Sequence, residues 1–476
     1  MPPVGARAFI FIIISFVVPG AAITSGWAQT GTHQADVSQE VERRTGYSLY
    51  QGEQSTALTL PEGVSLEDGV TEDEAIAIAL WNNPSFQAEL AAQGLAGADV
   101  IQAGLIANPQ LTMIFPFSYR ILDAVVNWPI EAIWQRPRRV AAARLEQARV
   151  DETIVAFALD LVLDVRLAYA EYSAAAARAD IAADIARERM EIADIVNARL
   201  RAGDVGELET NAAVSDAQAA EEQGARFARE AALAGERLRG LLGFGKEDVM
   251  LNFIAASNQF APAAGRIIGA SEMIPSIAES NISPNSAEES ESLDELIKHA
   301  LEAAPEIKAA ELAIEAAGAR AKWEHSRIMN VTAVAKEYGR GSDGFEQGPG
   351  VMIELPIFNR NQGNISRAEA EIESAVRQLI STQQRVVSSV REAFLQLTQA
   401  RDAHRLWRTQ VLPTLSRDIR LAETAYRTGD VSYLFVLENA RRYSDERLRE
   451  ADYQVAAARA FAQLERSVGR RLIVNR

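Results

Sequence analysis

The sequence predicts a mainly α chain with a membrane β-barrel contribution, arranged as two tandem repeats, each a two-stranded β-hairpin plus long coiled-coil helices. Three observations lead there. Long Ala-, Leu-, Glu- and Arg-rich stretches surround a small turn that occurs twice, RLRAGDVGELE at 199–209 and AYRTGDVSYLFVLE at 425–438. Short intervals alternate apolar and polar residues with period 2, as half-buried strands do. Matching segments also recur in the same order at nearly constant spacing, which marks a duplication and not a solenoid of short repeats.

Composition narrows the class. The chain has 476 residues, 48% hydrophobic but only 7% aromatic, a profile that favours close-packed helices over a thick mixed core. Its formal charge of −17, with bases interleaved among acids, argues against nucleic acid as a partner. There is no cysteine, which removes disulfides, thiolate metal sites and a catalytic thiol together.

The elements follow in order. Residues 1–28 read as a signal peptide: Arg7, an apolar run from Ala8 to Val18, a break at Pro19 and Gly20, and small residues Gly26 and Ala28 before the expected cleavage. No later stretch offers ~20 uninterrupted apolar residues, so membrane insertion is expected to use strands. An N-terminal extension fills 29–70. The first repeat, 71–244, opens with a helix over 71–106 (DEAIAIALWNNPSFQAEL), which pairs with DELIKHALEAAPEIKAAEL of the second repeat, 292–470, so that Pro84 matches Pro305 at an offset of 221 residues. The second repeat's opening helix is expected over 292–327.

Strands are expected over 110–130 and 329–358. Leu111, Met113, Phe115 and Phe117 alternate, then Leu122, Ala124, Val126, Trp128 and Ile130, with Asp123 and Asn127 on the other face. In the second repeat Val351, Ile353, Leu355 and Ile357 alternate, GRGSDGFEQG at 339–348 makes a hairpin loop, and strand 331–338 rests on symmetry alone. Helices are expected over 137–201 and 362–427, each returning past its Gly-Asp turn to 242 and 469. The linker 245–291, ending in a Ser-, Asn-, Glu- and Pro-rich run, is an equatorial belt without apolar periodicity, and 471–476 is a tail. Four strands cannot close a barrel, and an open edge in lipid leaves backbone groups unpaired. A homotrimer with a 12-stranded barrel is the economical solution.

The paired openings, the segment LPIFNRNQGNISRAEAE at 355–371 and the two turns together resemble the TolC-type outer-membrane efflux factor family over about 60–470, with NRNQG most similar to its heavy-metal, CzcC-type branch. The resemblance implies a trimer with a periplasmic α-helical tunnel that serves as the exit duct of a tripartite efflux system. It further implies a periplasmic adaptor (membrane fusion protein), an inner-membrane RND-type transporter reached through it, outer-membrane lipid around the barrel, and heavy-metal cations as cargo. Exit ducts for drugs or type I secreted polypeptides are the alternative, and a pore-free periplasmic scaffold is the reading from another class. Many members carry a lipid-modified N-terminal cysteine; with none here, no lipid anchor is expected. Pro116 inside a strand and the very short link near Ser118 to Arg120 also depart from a regular hairpin.

Chemistry is sparse. His33, His299, His325 and His404 show no metal-ligand spacing, no cofactor is expected, GFGKED at 243–248 reads as a helix stop, and no catalytic constellation stands out. The chain is expected not to be an enzyme. By the resemblance, Arg201, Gly203, Asp204 and Val205 with Arg427, Gly429, Asp430 and Val431 are adaptor-contact residues at the hairpin tips. Glycine there suits a left-handed helix end and aspartate a helix N-cap, whatever the partner. Glu207, Glu209 and Glu438 are candidate entrance or gate carboxylates, each of which three-fold symmetry would turn into a ring.

Overall fold

The computed structural model describes residues 26–50, 59–61, 63–66, 68–115, 123–244, 253–254, 292–339, 345–428 and 430–472. The expected leader up to residue 25, most of the linker, Phe117, Leu122 and the link near Ser118 to Arg120 lie outside them. In chain order the elements are α1 Gly26–Thr45, α2 Glu72–Asn82, α3 Pro84–Gly104, β1 Gln110–Ile114, β2 Asp123–Pro129, α4 Glu131–Ala202 and α5 Glu207–Leu241. Then come α6 Leu293–Ala303, α7 Pro305–Ser326, β3 Val331–Gly339, β4 Phe345–Ile353 and α8 Gln362–Leu406. A π turn, Trp407–Val411, leads to α9 Leu412–Thr428 and α10 Tyr433–Val468. The order helix, helix, strand, strand, long helix, return helix thus occurs twice.

Each opening is two helices, not one. Thr71 caps α2 in a capping box with Glu74, and Ser292 caps α6 in a capping box with Glu295. Both helices stop before a proline, because the residue preceding proline is pushed out of the α region: Asn83 has ψ 119° and Ala304 ψ 122°. Asn83 then starts α3, its Oδ1 accepting from the amides of Ser85 and Phe86.

The chain forms two compact units. One contains residues 1–39, 91–151 and 312–375, and holds the sheet. Its four strands are antiparallel in the order β1-β2-β3-β4, so the hairpins of the two repeats pair directly through β2 and β3. Register sorts the side chains. Leu111 lies opposite Val126, Val126 opposite Ala335; Trp128 lies opposite Ala333, and Ala333 opposite Val351. Since directly opposed residues share a face, one face collects Leu111, Met113, Ala124, Val126, Trp128, Val331, Ala333, Ala335, Val351 and Ile353, with the acidic Glu337 opposite Ala124 toward one end. The other carries Gln110, Thr112, Asp123, Asn127, Thr332 and Lys336 among a few apolar residues. In the single chain Leu111, Met113, Val351 and Ile353 stay 45% or more exposed.

The strands differ from expectation at their ends. β4 stops at Ile353, although the alternation runs on through Leu355 and Ile357; Glu354 makes one more backbone bond to Asn330, and Pro356 then has no N–H to continue the ladder. At the other end β3 and β4 pair as far as Gly339 with Phe345, so the ladder takes in Gly339 and residues 345–348 of the expected loop at 339–348; residues 340–344 lie outside the described residues. β1 ends at Ile114, short of Pro116 and Phe115. The start of α4 is anchored in the same unit: Arg136 and Arg139 donate to the Gly104 and Ala103 carbonyls at 2.7 Å, supplying basic caps to the end of α3.

The other unit contains residues 40–90, 152–311 and 376–476, almost all helix. Alanine dominates its buried positions. Ala193 and Val196 of α4 pack on Ala213 and Ala217 of α5, and farther along Ile185 and Ala186 pack on Ala220. Gly224 would bring a Cβ within 3.6 Å of the Ala182 carbonyl oxygen, a measure of how closely these backbones approach. A second core joins Leu296, Ala300 and Ile307 to Val386, Val390 and Leu397 of α8 and Leu464 and Val468 of α10. The expected continuous helix at 362–427 is interrupted by the π turn, whose Trp407 donates to Glu446 at 2.7 Å and packs on Tyr453, ring centroids 4.9 Å apart. In the first repeat α4 runs 72 residues without such a break.

The GFGKED helix stop falls at Gly243, with φ +88° and a prospective Cβ 2.9 Å from the Asn82 carbonyl carbon. Gly243→Ala is therefore expected to cost at least about 1–3 kcal/mol, read as a lowered unfolding midpoint. A pH effect follows from Glu40. The hydrogen bond from Arg43 holds its carboxyl down at about 2, with Arg44 assisting and partial burial opposing. A depressed carboxylate stabilises fully above its unfolded value, near 4.5, and loses that contribution as pH falls through about 2. Midpoints of wild type and Glu40→Gln should differ at neutral pH and converge on acidification across that window.

Candidate functional site

The two hairpin tips lie in the helical unit and share one core. The first tip closes α4 with Gly203 at φ +82°, where a side chain would be strained. The Gly203 amide donates to the Leu200 carbonyl at 3.0 Å and the Asp204 amide to that of Arg199 at 2.9 Å, the paired bonds of a Schellman helix end. The second tip makes the corresponding long bond, Asp430 amide to Ala425 carbonyl at 2.9 Å, and Thr428 Oγ1 donates to the Asp430 carboxylate at 2.6 Å. Gly429 and the Arg427 side chain lie outside the described residues.

The aspartates do not serve as N-caps. Gly206 and Ser432 hold the N-cap positions of α5 and α10, neither with a side-chain capping bond. Asp204 and Asp430 instead follow the helix end, and both are exposed, as is Arg201. Val205 packs inward against the shared core, while Val431 is half-buried. Glu207 is exposed in the first turn of α5, where a negative charge suits the helix dipole. Glu438 is exposed on α10. Glu209 is the candidate carboxylate with a resolved partner, the Tyr426 hydroxyl at 3.5 Å.

Tyr426 links the tips. Arg199 at the end of α4 donates to its hydroxyl at 2.6 Å and lies over its ring, 5.1 Å from the centroid. Its ring sits 5.9 Å from that of Tyr433, which is buried with Val196, Ala213, Ala217 and Leu437. Burial pushes the Tyr433 phenol above its ordinary value, so it stays a neutral donor. Two turns up α5, Asp216 is 7% exposed. Arg441 of α10 grips its Oδ1 with Nε at 2.8 Å and Nη2 at 2.6 Å, and the buried Arg189 of α4 approaches Oδ2 at 3.4 Å. One carboxylate thus ties three helices from both hairpins. Sequence reasoning passed over this cluster; the available signal was an acid at 216 amid the buried stripe Ala213, Ala217 and Ala220.

The histidines are scattered. His325 Nδ1 contacts the Ala321 carbonyl at 2.8 Å, and burial, with Arg408 second, holds His404 below its ordinary value. His299 lies on α6, and the His33 side chain is outside the described set. Among the described residues no group of three or more His, Asp or Glu could hold a metal ion. The NRNQG motif builds a turn: Asn361 adopts φ 59°, its Nδ2 donates to the Glu324 carbonyl and carboxylate at 2.9 and 2.7 Å, and its carbonyl accepts from Ile365 as α8 begins.

Asp216→Ala should strand the buried Arg189, and breaking such a pair costs about 3–5 kcal/mol. Arg441→Ala removes a half-exposed partner and should cost about 1 kcal/mol. Limited proteolysis at the tips, compared between the two variants, checks the order.

Residues 296–470 match the model for the outer membrane efflux protein family. The chain is 25% identical over 409 residues to the cobalt-zinc-cadmium resistance protein CzcC of Cupriavidus metallidurans, covering 84% of this chain and 90% of that one. Over 174 residues it is 27% identical to the pyoverdine export outer membrane protein OpmQ of Pseudomonas putida, covering 35% and 37%. Its fold superposes on CusC, solved in a study of transmembrane channel formation, with a TM-score of 0.66 at 19% identity, covering 88% and 98%. These likenesses support an outer-membrane channel with a periplasmic helical part and a non-enzymatic function. The fold is that of the TolC-type outer-membrane efflux proteins.

Proposed function

We propose that three copies of this chain form a 12-stranded barrel and a periplasmic α-helical tunnel, the passive exit duct of a tripartite efflux system. The observation that carries the reading is the sorted sheet: a face apolar except for Glu337 near its end, a more polar face, and β1 and β4 as edges with one partner each among the described residues. Two further strands are needed at those edges if the sheet sits in lipid, and identical neighbours can supply them, β4 of one protomer to β1 of the next. In this reading 71–244 and 292–470 are the two repeats, and 245–291 is a belt between them.

The tip residues Arg201, Gly203, Asp204, Val205, Arg427, Gly429, Asp430 and Val431 would meet a periplasmic adaptor, which joins the duct to an inner-membrane RND-type transporter. Exposed Glu207 and Glu438, with Glu209, would form carboxylate rings that concentrate cations at the entrance. Opening means repacking the tips, with the Arg199–Tyr426 contact released and α9 bending at the π turn, a type of irregularity found often at functional sites.

Heavy-metal cations are the preferred cargo, on the likeness to CzcC; the likeness to OpmQ favours an organic cargo as the second reading. The sensitivity of a deletion strain separates them: cobalt, zinc or cadmium hypersensitivity supports the first, and unchanged metal tolerance with drug or siderophore accumulation supports the second. In the complemented strain, replacing both Gly203 and Gly429 by Val should abolish efflux while the trimer persists in outer-membrane extracts. Normal efflux from that double variant would remove the tips from the mechanism.

A further inference from the structure

Antiparallel pairing brings four chain junctions to one end of the sheet: α3 into β1, β2 into α4, α7 into β3 and β4 into α8. Gln110 lies opposite Asn127, Pro129 opposite Thr332, and Val331 opposite Ile353. All four junctions belong to the unit that holds the sheet. This rim is apolar yet open. Leu105 and Ile106 follow α3, Ile133 and Trp134 begin α4, and Met329 precedes β3; each is at least 44% exposed. Past β4 the chain presents Leu355 and Ile357, both exposed, and Phe358 at 92% exposed. Trp128 ends the sheet's largely apolar face, its indole N–H donating to the Ala107 carbonyl at 3.1 Å.

The rim is also basic, in a chain whose formal charge is −17. Arg136 and Arg139 donate to carbonyls at the end of α3, and Arg360 Nε donates to the Pro356 carbonyl at 3.2 Å. Arg138 is exposed beside Pro137. Carbonyl partners hold a guanidinium in place without removing its charge, and none of these four arginines pairs with a carboxylate among the described residues. The acids of the four junctions are otherwise engaged or turned in. Glu324 binds Arg327 and Asn361, Glu354 accepts from Asn330, and Glu131 has its Oε2 buried.

Exposed aromatic and aliphatic side chains beside arginines without counter-charges match the chemistry of a bilayer interface, where acyl chains give way to phosphates. A neighbouring copy joined at β1 or β4 reaches the edges of the sheet, whereas Arg136, Arg138 and Arg139 follow β2, an inner strand. We propose that this rim binds the headgroups of anionic phospholipids, with Arg138 and Arg360 on phosphate and with Trp134, Ile357 and Phe358 in the acyl boundary. The proposal rests on the duct reading, in which the helix end of the sheet is its periplasmic end, and adds to it a preference among lipids.

The test uses the full chain reconstituted in vesicles of phosphatidylcholine and phosphatidylglycerol in equal parts, with brominated acyl chains on one lipid or the other, and reads the quenching of tryptophan fluorescence. Brominated phosphatidylglycerol should quench as a lipid enriched several-fold at the protein. Trp134→Phe should remove much of the quenched signal, and Arg138→Gln combined with Arg360→Gln should bring the two lipids to parity. Equal quenching by both lipids in the unaltered chain would overturn this proposal and leave the duct standing. A preference that survives in the double variant also overturns it, as does quenching unaffected by Trp134→Phe, the result expected if a neighbouring chain covers the rim. Absence of quenching by either lipid would remove the bilayer from the account, and the duct reading with it.

Discussion

Backbone hydrogen bonding at the sheet edges is the constraint on which the rest of this architecture depends. Every N–H and C=O within a bilayer's hydrocarbon must find a partner in protein, at several kcal/mol for each failure. A sheet ordered β1-β2-β3-β4 satisfies its inner strands and leaves the outer flanks of β1 and β4 without a strand partner among the described residues, which in the proposed duct a neighbouring chain would supply. In the proposed duct the apolar row from Leu111 through Val126 and Ala335 would suit lipid, with Glu337 on the same face toward the strand ends, while Thr112, Asn127 and Lys336 would suit a watered lumen.

The helices answer a different demand. Elements as long as the 72 residues of α4 cannot be stabilised by local propensity alone. Alanine and glycine at the contacts let backbones come close, so dispersion replaces the bulk of a large apolar core. Such packing is weakly specific, since one alanine resembles another. The polar ties supply register: Asp216 between Arg189 and Arg441, and Tyr426 beneath Arg199. They are also the contacts that must change if the tips part, which places specificity and movement in the same few side chains.

Much of this was legible in the sequence, and the boundary between legible and hidden is physical. Local rules were enough for the strands over Ala124 to Trp128, for the Gly203 turn and for the second-repeat strand at 331, where β-pairing with β2 fulfils what symmetry suggested. Pro84 and Pro305 split each opening into two helices, a consequence of the residue before proline that a single amphipathic reading overlooked. Period-2 alternation at Leu355 and Ile357 misled, because a ladder ends where Pro356 removes a donor whatever the side chains do. The aspartates after the tip glycines looked like N-caps, but the Schellman bonds leave them one step outside the helix end. The π turn and the Asp216 cluster could not be read at all: they depend on which helices become neighbours, and that information is nonlocal. NRNQG carried a family resemblance, yet Asn361 holds a strand-to-helix turn against Glu324 and needs no metal to explain it.

The central claim is that the open sheet closes by association of like chains in the outer membrane. The most direct measurement is the mass of the detergent-extracted particle from separated outer membranes, taken with a crosslink between a cysteine placed on β1 and one placed on β4. A trimeric mass with β1 joined to β4 of a neighbouring chain is the expected result. A monomer or dimer recovered from the soluble periplasm, with no crosslink between chains, would contradict it.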